Sequence, residues 1–165
     1  MLSTNGDAGG KGLAPPPSLG RLLNFSAGAT NRLCRSMLAE HELQLAQWVV
    51  LSALWRVDGL SVGELARYSG NEVPAASRIV DRMEAGGLVR RRPDADDGRA
   101  VRVWLTRAGR SLDGLASFYE HVNERLLSGF TETEAATLFA LLERVLENAR
   151  RAAAAADADA DAAER

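Results

Sequence analysis

Apolar residues recur every three to four positions along most of the chain, the spacing of one buried helical face. Leu19, Leu22, Leu23, Ser26, Ala29, Leu33 and Met37 predict a first helix over about 18–39. Leu45, Trp48, Val49, Leu51, Ser52 and Trp55 predict a second over about 44–57, stopped by Asp58-Gly59. Ser61 and Glu64 stand three apart. That is the spacing of a capping box, in which each side chain satisfies a free backbone N–H of the other. It opens a third helix that buries Val62, Leu65 and Ala66 and ends at Gly70. A fourth begins near Asn71-Glu72, with Pro74 in its first turn, where a missing N–H does no harm. Ala76, Ile79, Val80 and Met83 form its inner stripe, and Gly86-Gly87 ends it.

The period then drops to two. Leu88 to Pro93 reads as a short strand, Asp94 to Gly98 as turn chemistry, and Val101, Val103 and Leu105 share one face of a second strand. This is a β-hairpin with a basic, polar tip. A long helix is expected over about 106–128, through Leu112, Leu115, Tyr119, Val122 and Leu126. A second capping box, Thr131 with Glu134, opens a last helix, buried through Leu138, Leu141, Leu142, Val145 and Leu146 to about Arg151. Residues 1–17 are rich in Gly and Pro and read as a disordered arm. Residues 152–165 alternate Ala with Asp, offer no apolar stripe, and are expected to fray. The globular part is therefore about 18–151.

The order of elements points to a mainly α winged helix-turn-helix, with about six helices and one hairpin wing. In that arrangement the recognition helix is anchored by its apolar stripe while its other face enters the major groove of double-stranded DNA. The stripe of the fourth helix leaves Val73, Ala75, Ser77, Arg78 and Arg82 toward the opposite face and the N-terminal end. With Pro74 in the first turn, small residues there let the backbone approach the groove. Arg78 is placed to reach a guanine edge or a phosphate. The wing needs a narrow, basic tip for the narrow, negative minor groove. Arg99 supplies that charge, Asp97 holds the tip turn, and Arg92 on the first wing strand completes the candidate DNA-binding set.

Charge sharpens this picture. The chain has 20 Lys+Arg against 22 Asp+Glu. However, the tail, with Asp157, Asp159, Asp161 and Glu164 against Arg165, sums to -3, so the rest of the chain is about +1. The window 78–110 holds nine Arg and five acids, a local basic stretch that suits an anionic partner. No apolar run approaches the ~20 residues of a membrane span, so no membrane role is expected. A single cysteine, Cys34, rules out an internal disulfide framework and fits a reducing cytoplasm. His41 and His121 have no histidine or cysteine three or four residues away, so no metal and no cofactor are expected.

The segment from Gly87 to Thr106 resembles the MarR-type transcriptional regulators. Asp97, Arg99, Leu105, Thr106 and Gly109 match the family's wing pattern, and Ser77-Arg78-Ile79-Val80-Asp81-Arg82-Met83 its recognition helix. Gly98 departs from it, standing where many members carry an arginine. The resemblance covers about 43–109. It implies a homodimer whose terminal helices, about 18–40 and 106–151, form the dimerisation region below which the winged units (about 43–105) hang. It implies a sequence-specific repressor that binds a pseudo-palindromic operator and is released by a small aromatic or phenolic acid. Ser77, Arg82 and Arg91 fall where some members contact such anions, and Trp48 and Trp55 are candidates to line the cleft, with Tyr119 beside them. Against this, Arg82 and Arg91 also read as phosphate contacts or solvated groups, and the aromatics as plain core.

Two other readings stand beside it. The chain has no glycine-rich phosphate loop, no G-x-S-x-G and no H-E-x-x-H, so it is not read as an enzyme. Gly98 and the acidic Asp94-Ala95-Asp96-Asp97 leave open a winged-helix interaction module with weak or lost DNA binding. Cys34, flanked closely by Arg32 and Arg35, leaves open redox sensing, although a buried and inert cysteine is the simpler reading.

Overall fold

The computed structural model describes residues 18–94 and 101–163. The arm 1–17 and the wing-tip segment 95–100, which contains Asp97 and Arg99, lie outside the described residues. The chain divides after Asp113 into two compact units.

The first unit starts with α1 (Leu19–Leu38), capped by the Ser18 side chain, which accepts from the backbone N–H of Arg21. A 3-10 turn, Ala39–His41, leads to α2 (Leu45–Arg56). A short strand β1 (Leu60–Ser61) runs directly into α3 (Val62–Ser69). The expected capping box is present. The Glu64 backbone N–H donates to Ser61 Oγ at 3.2 Å, and the Ser61 N–H donates to Glu64 Oε2 at 2.7 Å. Helix α4 (Val73–Ala85) has proline in its first turn. Strands β2 (Val89–Pro93) and β3 (Val101–Leu105) form the wing, and α5 (Arg107–Arg110) follows.

The three strands make one antiparallel sheet with β3 in the centre. Val103 pairs with Arg91 on one side and with Leu60 on the other. The core is closed by Trp48, Leu51 and Leu54 of α2, Leu65 of α3, Val80 and Met83 of α4, and Val89 and Val103 of the wing. All four residues of the expected α4 stripe are buried. That burial fixes which face of α4 is left outward.

In the second unit, α6 (Phe118–Leu126) is followed by α7 (Glu132–Ala163). The second capping box is formed: Glu134 Oε2 accepts from the N–H and hydroxyl of Thr131.

Two expectations differ from the structure, and one short strand was not expected. The helix expected over about 106–128 is three pieces: α5, a 3-10 turn at Asp113–Leu115, and α6. Gly109 and Gly114, with Ser111, Asp113 and Ser117 between and after them, are poor helix-interior residues, and their summed propensity outweighs the apolar spacing. The tail does not fray at Arg151, because α7 continues to Ala163. Alanine has the highest helix propensity, and an existing helix propagates into it at little cost. Strand β1, only two residues long, has no periodic signal of its own.

Both terminal helices carry large apolar side chains that are exposed, in α1 over its first two turns. Leu19, Leu22 and Phe25 of α1 are exposed, Leu22 at 63% and Phe25 at 67%. Phe139, Leu141, Leu142 and Leu146 of α7 are exposed as well. No helix among the described residues is long and apolar enough to cross a membrane.

Candidate nucleic-acid interface

The candidate interface is built on α4 and the wing. The buried stripe of α4 turns Val73, Pro74, Arg78 and Arg82 outward, with Ala75 and Ser77 half-buried beside them. Arg78 and Arg82 are one turn apart and therefore share a face. Neither forms an ion pair among the described residues. Arg90 and Arg92 alternate outward on β2, while Val89 is buried.

Arg91 behaves differently. Its guanidinium lies 2.7 Å from Asp81 Oδ1 and 2.9 Å from Glu84 Oε2, and it also reaches the Ser77 hydroxyl and carbonyl at 3.4 Å. Its backbone N–H donates to Glu84 Oε1 at 2.7 Å. This clasp spans the Gly86-Gly87 turn and fastens β2 to α4. The Glu84 carboxyl is held below the usual carboxylate range, first by the Arg91 backbone N–H, then by its side chain. Arg91 and Ser77, both candidates for holding an effector, are thus brought together. In this structure, though, Arg91 serves two carboxylates of its own chain.

The base of the wing is held by a second set of bonds. Asp58 Oδ1 accepts from the backbone N–H groups of Gly59 (3.1 Å) and Leu105 (2.9 Å), and Oδ2 accepts from Arg110 at 2.6 Å. The indole N–H of Trp55 donates to the Gly109 carbonyl at 2.9 Å. Gly59 has φ +82°, and a Cβ there would strike the Trp104 ring at 2.6 Å. Only glycine fits that corner. On β3, Arg102 sits directly opposite Arg92. Like charges placed so are unfavourable. Arg102 is drawn away by Asp94, by the Gly59 carbonyl at 3.0 Å and by Glu64 at 3.6 Å, which leaves Arg92 outward.

The remaining candidates fall elsewhere. Trp48 is buried in the core, and Trp55 is committed to Gly109, so the structure does not bring either together with Arg82 or Arg91. Cys34 is buried in α1, and desolvation pushes its thiol up, which makes a poor nucleophile. That burial counts against redox sensing. No group of three or more His, Cys, Asp or Glu among the described residues could hold a metal ion. Sequence reasoning missed Glu84 and Asp58 as organisers. Glu84 carried no periodic or motif signal, and Asp58 read only as a helix stop.

Fold and arrangement together define a winged helix-turn-helix protein. The MarR family profile matches residues 41–100. A MarR-family transcriptional regulator from Silicibacter pomeroyi, of known crystal structure, is 33% identical, with a TM-score of 0.62 over 78% of this chain and 88% of that one. A mutant MarR from Escherichia coli complexed with operator DNA is 29% identical, with a TM-score of 0.71 over 78% of this chain and 93% of that one. The HTH-type transcriptional regulator TtmR of Methylorubrum extorquens (strain PA1) is 39% identical over 110 residues, 64% of this chain. The match spans only 56% of TtmR. The chain belongs to the MarR family, a family of transcriptional regulators and not of enzymes.

Proposed function

We propose that the protein is a homodimeric, cytoplasmic repressor that binds a pseudo-palindromic operator. In this reading α4 enters the major groove with Val73, Pro74, Ala75, Ser77, Arg78 and Arg82. The wing enters the minor groove with Arg92 and with Asp97 and Arg99 of the tip segment outside the described residues. The observation that carries the reading is the face of α4. Its stripe of Ala76, Ile79, Val80 and Met83 is buried, and Arg78 and Arg82, without an ion pair among the described residues, lie exposed, as do Arg90 and Arg92 of β2. Likeness to a MarR bound to operator DNA supports the same placement.

Two-fold assembly is supported by the exposed stripes of α1 and α7, which in a monomer would leave large apolar side chains in water. In the proposed dimer, the regions 18–40 and 106–151 cover one another between subunits and set the two α4 helices about one DNA turn apart. A small aromatic anion is the proposed releasing effector. Arg82 has no ion pair among the described residues, whereas Arg91 must first give up Glu84 and Asp81 to take part.

A gel shift with DNA upstream of the protein's own gene, at two salt concentrations, tests the reading. A discrete complex that survives competitor DNA and weakens with salt is expected. Absence of any complex at low salt favours the interaction-module alternative.

A further inference from the structure

We infer, resting on the proposed entry of α4 into the major groove, that Glu72 at the start of that helix reads a cytosine and so sets part of the sequence preference. An acid is out of place on this surface. Arg78, Arg82, Arg90 and Arg92 are exposed, and a carboxylate on the same surface repels the phosphates they attract. The two acids within α4 are neutralised, since Asp81 and Glu84 both pair with Arg91. Glu72 is exposed and forms no ion pair among the described residues. It does not serve the helix as a cap either. It occupies the position from which a Ser, Thr, Asp or Asn side chain accepts from the first turn, yet its carboxylate accepts no such bond.

The backbone beneath it is firmly fastened. Gly70, in the left-handed region at φ +66°, ends α3 with its N–H on the Ala66 and Arg67 carbonyls. The Asn71 N–H donates to the Ala66 carbonyl at 3.0 Å. The Asn71 amide donates to Ser69 Oγ at 2.9 Å, and that hydroxyl donates to the Leu65 carbonyl at 2.8 Å. The Glu72 carbonyl accepts from the Ala76 N–H at 3.0 Å. The Glu72 side chain is therefore carried on a fixed turn, as discrimination between bases requires. It is also the longest side chain from 71 to 77, where the sequence continues Val-Pro-Ala-Ala-Ser. An ionised carboxylate only accepts hydrogen bonds. Guanine and thymine present acceptors in the major groove and repel it, and adenine sets its N7 acceptor beside the N6 donor. Cytosine presents the N4 donor alone, so it is the base that fits a carboxylate. An amide, with donor and acceptor together, fits adenine instead.

Selection of the full chain against random duplexes, run in parallel for wild type, Glu72→Ala and Glu72→Gln, tests this. Both variants change one exposed side chain that makes no cap bond, and thermal melts check that the fold is kept. Wild type is expected to fix one cytosine in each half-site. Glu72→Ala should lose preference at that position alone, and Glu72→Gln should move it to adenine. In anisotropy titrations, replacing that C·G pair by T·A should raise Kd about tenfold for wild type and less than about twofold for Glu72→Ala. Glu72→Ala should also bind unmatched DNA more tightly, because a repelling charge is gone. A motif that all three proteins select unchanged overturns the role of Glu72 while leaving α4 as the reading helix. So does a uniform loss of affinity across all sequences, which marks a purely structural role at the positive end of the helix. A wild-type pool without any motif removes the groove-reading proposal itself, and the role of Glu72 with it.

Discussion

Arg91 and Glu84 meet twice: the Arg91 backbone N–H donates to one carboxylate oxygen at 2.7 Å, and its guanidinium donates to the other at 2.9 Å. One residue lies on the wing and the other on the helix proposed to read DNA. Their pairing makes the angle between those elements a property of the folded chain and not of the DNA. Arg91→Ala is expected to lower stability by about 1–3 kcal/mol, the range for a charged hydrogen-bonded group that loses its partner. Urea denaturation checks this. The variant should also bind DNA less tightly while keeping the wild-type dependence on salt, since Arg91 is not proposed to neutralise a phosphate.

Acid should weaken the same clasp. The Glu84 carboxyl lies below its unfolded value, so its contribution is complete above the unfolded carboxylate pKa of ~4.3 and is lost as pH falls through the folded value. Glu64 and its capping box behave alike. Wild-type stability should therefore fall below about pH 4.3, and Glu84→Gln should flatten that fall. Denaturation curves from pH 7 to pH 3 for both proteins give the comparison. Parallel curves would show that the carboxylate does not titrate in this way.

The wing base gives a packing test. A Cβ at Gly109 would overlap the Leu88 carbonyl oxygen, which is backbone and cannot swing aside. Gly109→Ala should cost about 1–3 kcal/mol, as overpacking does. Trp55→Phe, which removes the donor to Gly109 together with the five-membered part of the indole, should cost about 0.5–1.5 kcal/mol for the lost hydrogen bond. Thermal melts that rank the two the other way would contradict the geometry.

Arg78 and Arg92 should separate by the kind of contact each makes. Arg78→Ala is expected to cost ~1–3 kcal/mol of binding and to relax base preference. Arg92→Ala should weaken all sequences alike and reduce the salt slope by about one. Anisotropy titrations against several duplexes at graded salt distinguish the two.

The first four helices and the wing were legible because each has a local cause. Ser61 and Glu64 announce a start, Pro74 fits a first turn, and Val101, Val103 and Leu105 alternate. Tertiary partnerships were not legible. Nothing local links Glu84 to Arg91, or Asp58 to Leu105 and Arg110, since those pairs are made only when the hairpin folds back on the helices. Arg91 consequently read as a candidate anion site, and its own carboxylates were invisible. Trp48 and Trp55 show the same limit: helical spacing marked them as inward-facing without telling core from cleft. The run around Gly109 and Gly114 misled in the opposite sense, because apolar periodicity continued where backbone propensity did not.

The central claim is that two α4 helices, set by one dimer, read DNA in sequence. Selection of the purified protein against a pool of random duplexes tests it most directly. The account predicts enrichment of an inverted repeat with half-sites about one helical turn apart, lost when Arg78 is replaced by alanine. A pool that emerges unenriched at low salt, or a single half-site without two-fold symmetry, would contradict it.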